Sequence, residues 1–558
     1  MSLLSAALAL SLFGGAAPQD PAAPWNAALY DELEELYPDS ATAAGTAMLS
    51  LDSPRGVPAG IHLLLTGMQP DEPVMISLAG REELTSTALW FRLHDVPVEE
   101  NTGLGSRTEV FDGERNPHVV RRAPFRIFEA LEPLARGARL EHRPAAAVMA
   151  LRLEVPVPAN AAVGTHPLRI RIAHAGRAQI LEWSLQVHAA VVPPAGRDTL
   201  AYTNWFSPDE VARRHGLEPW SEEFWPMLAQ YAAMMAHGRQ NVFWVRWADF
   251  FHLDDSGTPH LHRARLERYV ATFRAAGLWW IEGAPLAHRP GGDWSSPVLE
   301  LNVANVPATG DAGRAALATM LGELDAAIEE NGWRAAWLQH LADEPTDVNA
   351  ADYTELAALV REHLPGIPIV EATMSTELVG AVDVWCPQVH KFQQNRAFFE
   401  QRRAAGDRVW TYTCLVPGGP WLNRLLDQER LRQVYIGWAA AHFGVHGFLH
   451  WGLNHYKADP FAQSVVDHPA QPGTKNKLPA GDTHVIYPGP DGPWSSQRFE
   501  AHRIGMEDHA LLEQLRARDS AAAAAVIQRV FRGYDDYATE VAAYRAARRA
   551  LLETLTAE

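Results

Sequence analysis

Cysteine is almost missing from this chain of 558 residues, which has two, Cys386 and Cys414. That excludes a disulfide framework, and both lie in strand-like segments, so buried free thiols are expected. Basic blocks are missing too. The net charge is −19 and the isoelectric point near 5.7. Nothing could neutralise a run of phosphates, which excludes a nucleic-acid partner, and no polybasic run addresses an anionic membrane. Past the N-terminus no apolar run reaches the roughly eighteen residues of a membrane span, so integral membrane association is not expected. No Gly-x-Ser-x-Gly elbow occurs, and no Gly-rich phosphate turn opens the second half of the chain. His260 and His262 have no third ligand in view and read as a surface loop rather than half a metal site.

Aromatics are plentiful. Nineteen Trp and thirteen Tyr accompany a hydrophobic content of 47%, and aromatic faces are what the C–H surfaces of sugars stack against, although any one Trp is more often core. Length alone argues for two or three domains. Residues 1–17 have a short apolar stretch ending in small residues, which reads as a secretory signal without its basic start; a secreted or periplasmic protein is expected.

From about Thr46 to Val192 the pattern alternates with period two. Ile61–Thr66, Val74–Leu78, Leu168–Ile172 and Leu181–Val187 read as strands, with a hairpin turn at Ala175-Gly176-Arg177. This predicts an antiparallel β-sandwich over residues 25–195. Beyond Pro193-Pro194 the rhythm changes to strands alternating with helices. Strands are expected at Thr199–Trp205, Asn241–Trp247, Leu278–Gly283, Ala335–Ala342, Ile367–Ala372, Val382–Val389, Arg408–Leu415 and Gly447–Leu453. Helices are expected at Arg263–Ala276, Ala312–Asn331, Ala350–His363 and Arg430–Phe443. Eight such units predict a (β/α)8 TIM-type barrel over residues 196–515, followed by a helical C-terminal tail at 516–558.

In such a barrel the working groups sit at the C-terminal ends of the strands. That selects Asn204 and Trp205, Arg246, Glu282, Asp343 and Glu344, His390, Trp410 and Tyr412, and Trp451, Asn454 and Tyr456. Asp343 and Glu344 close the fourth strand side by side, and the others are expected to bind substrate. Neighbours on a strand face opposite ways, so the two acids share a pocket only if the strand breaks there. Pro345 stops the ladder and is expected to hold Glu344 extended. Two acids in one pocket resist double ionisation, and the acid kept protonated near neutrality can protonate a glycosidic oxygen. The alternative is a plain strand-to-helix loop with Thr346 or Asp347 as N-cap.

Adjacent acids cannot easily flank an anomeric carbon as the usual two carboxylates of a retaining glycosidase do. They suit substrate assistance instead, in which the 2-acetamido oxygen attacks, Asp343 holds the amide N–H, and Glu344 is acid and then base.

Asp343-Glu344-Pro345, Trp410-x-Tyr412-x-Cys414, Gly447-Phe-Leu-His-Trp451 and the stretch Gly481-Asp482 through Glu507-Asp508 resemble the domain of unknown function 4091. That domain overlaps the catalytic barrel of glycoside hydrolase family 123, a group of retaining β-N-acetylgalactosaminidases. The resemblance runs from about Thr199 to Leu515. It implies that Asp343 orients the acetamide, that Glu344 is the acid/base, and that the substrate is a glycan or glycoconjugate ending in β-GalNAc. It implies no metal or organic cofactor. Two alternatives stay open: a glycosidase for a sugar without the acetamide, with a distant second carboxylate such as Glu282, and a carbohydrate-binding protein without catalysis.

Overall fold

The computed structural model describes residues 25–39, 42–70 and 72–556, and the expected leader at 1–17 lies outside them. The first part of the chain forms two sheets. A seven-stranded sheet has Asn26–Asp31, Val57–Thr66, Val148–Val157, Leu89–Val98 and Phe125–Arg136 in that order, extended by Pro493–Ser496 and Tyr487–Pro488. A five-stranded sheet orders Met48–Arg55, Arg177–Val191, Gly164–His174, Val74–Ala79 and Arg139–His142. Period-two alternation fixes their inner faces: Ile61, Leu63 and Leu151 of one sheet share a buried cluster with Ile76, Ile170 and Trp183 of the other.

The hairpin turn lies where the alternation breaks. His174 pairs with Arg177, leaving Ala175 and Gly176 as a two-residue turn with φ of 46° and 74°. The pairing is not antiparallel throughout, since Met48–Arg55 runs parallel to Arg177–Val191. Nor is it local. Ser495 and Ser496, from late in the chain, pair with Leu131 and Ala130 and tie the second half to the first.

The second half supplies parallel strands: β1 (Ala201–Asn204), β2 (Val242–Val245), β3 (Trp280–Gly283), β4 (Trp337–Gln339), β5 (Val370–Ala372), β6 (Val384–Cys386), β7 (Arg408–Thr413) and β8 (Gly447–His450). Each falls inside a segment expected to be a strand. Their ladders form a five-stranded half-barrel, β1-β8-β7-β6-β5, and a separate three-stranded sheet, β2-β3-β4. A single parallel bridge, Gln339 to Ile369, joins the two at β4 and β5. At the other seam Asn241 N donates to Tyr202 O at 3.3 Å, with no ladder. β4 and β5 are three residues long and meet by the Gln339 to Ile369 bridge alone. Helices at Arg263–Ala275, Asp311–Glu330, Ala350–His363 and Leu431–Phe443 pack outside, within a residue of their expected bounds.

The tail is not helical throughout. Helices Gln497–Arg518, Ser520–Gln528 and Val541–Thr556 are interrupted by a hairpin of Phe531–Gly533 and Asp536–Tyr537. Ser496 caps the first of them, its Oγ accepting from Phe499 N at 3.1 Å. This helix crosses Leu431–Phe443 at two glycines. A Cβ on Gly437 would strike Gly505 O, and one on Gly505 would strike Val434 O. Arg498, Arg503, Glu507 and Asp508 are structural ion pairs. Arg498 holds Glu129 at 2.6 Å across to the seven-stranded sheet, and Arg548 holds Asp508 at 2.8 Å.

Candidate active site

Asp343 and Glu344 follow β4 on the loop that leads to the helix Ala350–His363. The strand does break there. Glu344 has φ of 50°, a left-handed conformation that bulky residues avoid, rather than the extended one expected from Pro345. Holding it costs on the order of 1–3 kcal/mol, so neighbouring contacts must impose it. They do. Arg289 Nη1 donates to Asp343 O at 2.8 Å and to Glu344 O at 2.7 Å. Thr373 Oγ1 donates to Pro345 O at 3.0 Å. On the strand side, Glu371 Oε2 accepts from Leu341 N at 3.0 Å, Ala342 N at 3.1 Å and Tyr353 Oη at 2.9 Å. The acid pair is therefore anchored before and after the turn. The N-cap position of the helix that follows is Asn349, not Thr346 or Asp347, and its side chain gives the helix no capping bond; its Oδ1 accepts from Thr346 N at 2.9 Å.

Tyr412 on β7 donates its hydroxyl to Glu344 Oε1, so this carboxylate faces across the mouth. Glu344 is partly buried, whereas Asp343 is exposed on its loop. Loss of water around it, then repulsion from Glu344 and Glu371, pushes its pKa up to about 7. Burial raises Glu344 as well, while the bond from Tyr412 and the nearby Arg289 pull it back. Two neighbouring acids that repel one another titrate as a pair, not independently.

Beneath the pair lies a closed polar stack. His340 sits fully buried between Glu282 at 2.8 Å and Glu371 at 3.2 Å. The two carboxylates overcome the cost of burial and raise its pKa to about 10. Glu282 also accepts from Thr203 Oγ1 at 2.6 Å and Trp205 Nε1 at 3.0 Å. It is wholly buried, so it belongs to the support of the mouth and not to its lining.

Other expected lining residues also lie below the surface. Asn204 is buried among Tyr202, Gln240 and Arg424. Trp410 packs in the inner core beside Gly447. Asn454 holds both backbone groups of Ser207, and Tyr456 donates to Ile486 O at 2.9 Å. Asn204 and Trp410 point inward from β1 and β7, and Asn454 and Tyr456 lie on the loop after β8, buried by these hydrogen bonds.

Four stay partly exposed. Trp205 stacks on Trp244 with ring centres 4.1 Å apart, and Trp451 donates to Asp482 Oδ1 at 3.3 Å. Arg246 is held by Asp249 at 2.7 Å and Asp209 at 2.8 Å. His390 lies edge-on to Trp421, and burial lowers its pKa to about 4.

Arg289, His340, Glu371 and Asp482 were not singled out as site residues. Glu371 had a signal, an acid inside the apolar strand segment Ile367–Ala372. Arg289 had none, because its partners are backbone carbonyls. Asp482 is buried beside His450 and Trp451, and lost hydration pushes its pKa up to about 7. Burial pushes both free thiols, Cys386 and Cys414, well up, which disqualifies them as nucleophiles. His260 is paired with Glu323 at 2.8 Å. Among the described residues, no group of three or more His, Cys, Asp or Glu could hold a metal ion. Among them, too, no helix is long and apolar enough to cross a membrane.

Residues 293–515 match the family model described as glycoside hydrolase 123, catalytic domain. Among solved structures, the chain is similar to a family 123 glycoside hydrolase from Clostridium perfringens. The TM-score is 0.72 at 12% identity, covering 96% of this chain and 97% of that one. A β-glucuronidase from Parabacteroides merdae gives a TM-score of 0.32 at 11% identity, with coverage of 81% and 50%. A Clostridium thermocellum xylanase gives 0.33 at 8% identity, with coverage of 86% and 93%. Neither of these two bears on the fold. No curated protein matches the chain.

Proposed function

We propose, from the premise that this chain is a family 123-like glycoside hydrolase, that it is a retaining β-N-acetylhexosaminidase acting through an oxazoline. In this reading the two sheets of the first half form a β-sandwich, and the two parallel sheets act as one irregular eight-stranded barrel. The observation that carries it is the left-handed turn at Glu344, with Arg289 bonded to the carbonyls of both acids. Such a turn lets successive side chains share a mouth, which an extended strand would forbid.

Substrate binding would decide which of the two acids carries a proton. An acetamide N–H donating to Asp343 stabilises its carboxylate, and repulsion then holds the proton on Glu344. Glu344 passes that proton to the glycosidic oxygen while the acetamide oxygen closes on the anomeric carbon and the leaving group departs. Glu344, now ionised, takes a proton from the water that opens the oxazoline, which restores both acids. Asp343 stays charged beside the positive charge that grows on the ring nitrogen.

The Clostridium perfringens protein is described for glycolipid glycan hydrolysis, in keeping with a β-GalNAc end on a glycoconjugate as the substrate proposed here. Export by a leader at 1–17 belongs to the same proposal. Glu282 gives no support to a distant second carboxylate, because both its oxygens are bonded below the site. An aryl 2-acetamido-β-glycoside compared with its 2-hydroxy twin tests the route. Only the first carries its own nucleophile, and equal hydrolysis of both would overturn it. Glu344→Gln separates enzyme from binder: turnover is lost while sugar affinity stays.

A further inference from the structure

Of nineteen tryptophans, Trp294 is the one exposed among the described residues, at 52%. It stands on the loop after β3, one guanidinium away from the acid pair. Arg289 lies over its ring at 3.8 Å, and that same guanidinium donates to the carbonyls of Asp343 and Glu344. Nη1 is already engaged by those two carbonyls, so the indole adds a cation–π contact on one face only. Solvent covers the rest.

The exposure is built in. Asp293 Oδ1 accepts from Ser295 N at 2.9 Å and from Ser295 Oγ at 2.7 Å, which fixes the residues on either side of Trp294. Further along, Leu299 N donates to Asp352 Oδ2 at 2.8 Å and ties the loop to the helix Ala350–His363. A large apolar face left in water costs free energy on the order of 25 cal/mol per Å2. A rigid, one-sided platform beside the acids recovers it when the apolar face of a ring covers it.

We infer that Trp294 is the platform for the leaving-group side of the substrate, stacking the C–H face of the sugar next to the scissile bond. This rests on the glycosidase reading above. The terminal sugar occupies the mouth where Tyr412 and Glu344 meet, so a residue on the outer loop meets what lies beyond it. Arg289 behind the indole fixes the plane of that contact relative to the turn bearing Asp343 and Glu344. Through its backing, one side chain links recognition of the leaving group to the position of the acids.

The test compares kcat/KM for a β-N-acetylhexosaminyl disaccharide and for the methyl glycoside of the same terminal sugar, in wild type, Trp294→Ala and Trp294→Phe. The ratio of disaccharide to methyl glycoside is expected to fall about tenfold in Trp294→Ala, equivalent to about 1.4 kcal/mol. Trp294→Phe, which keeps a stacking face, restores most of it. A ratio unchanged in Trp294→Ala, with both substrates lost alike or neither affected, overturns the platform and leaves the glycosidase reading standing. A wild-type enzyme that hydrolyses neither glycoside removes both.

Discussion

Tyr412 on β7 donates its hydroxyl to the carboxylate of Glu344 beyond β4, so one hydrogen bond spans the strand mouth. It sets where Glu344 points and favours its ionised form. The left-handed turn at Glu344 makes the bond possible by swinging the side chain off the strand line.

Tyr412→Phe removes that donor without changing the ring that fills the core. A bond to a charged group is worth about 1.5–3 kcal/mol, so kcat is expected to fall roughly 10- to 100-fold. The lost bond had lowered the pKa of Glu344, so the alkaline limb of the pH–rate profile moves to higher pH. A limb that moves down would refute the assignment.

Arg289 lowers the pKa of both acids as well as holding their backbone. Arg289→Met should therefore cut kcat and shift the alkaline limb upward. Arg289→Lys keeps the charge but not the two-carbonyl grip. It should return the limb toward its wild-type position while kcat stays depressed, as pH profiles of the three proteins would display.

Burial and then repulsion from Glu344 push the pKa of Asp343 up to about 7. In Glu344→Gln its pKa is expected to drop, followed by carbon NMR of the labelled carboxyl. In the wild type, a bound 2-acetamido sugar should lower it too, while a 2-hydroxy sugar leaves it in place.

His340 is held as a cation by Glu282 and Glu371, with its folded pKa raised to about 10. The sign follows: its stabilising contribution is complete below the unfolded value of roughly 6.5 and is lost as pH rises through the folded one. His340→Gln leaves two buried carboxylates without their cation, at a cost of about 3–5 kcal/mol near neutrality. Denaturant melts at rising pH should show the gap to wild type narrowing toward pH 10.

Gly437→Ala forces a Cβ against the backbone of Gly505 where two helices cross. A loss of about 1–3 kcal/mol is expected from overpacking, read as a lower Tm. Activity per folded molecule should stay unchanged, since the crossing lies on the outside of the strands.

Local pattern carried much of the architecture. Alternation located the inner faces of both sheets, and each of the eight parallel strands lies within an expected segment. The hairpin at Phe531–Tyr537 was missed because its short strands sit between apolar helices. The pairing of Ser495 and Ser496 with the first half had no local signal, as register between distant segments has none. Among site residues, Glu344 and Tyr412 come together, whereas Asn204, Glu282, Trp410, Asn454 and Tyr456 turn inward.

What the chain determines by itself is periodicity, and with it which segments become strands or helices and where two acids end a strand. Those are properties of neighbours along the backbone, set by side-chain spacing and by Pro345. The tertiary structure alone decided that Glu344 turns left-handed, that a guanidinium from another loop fixes it there, and that Glu282 lies beneath the mouth. Each depends on groups dozens of residues apart meeting at hydrogen-bond distance, and only the packed fold brings them together.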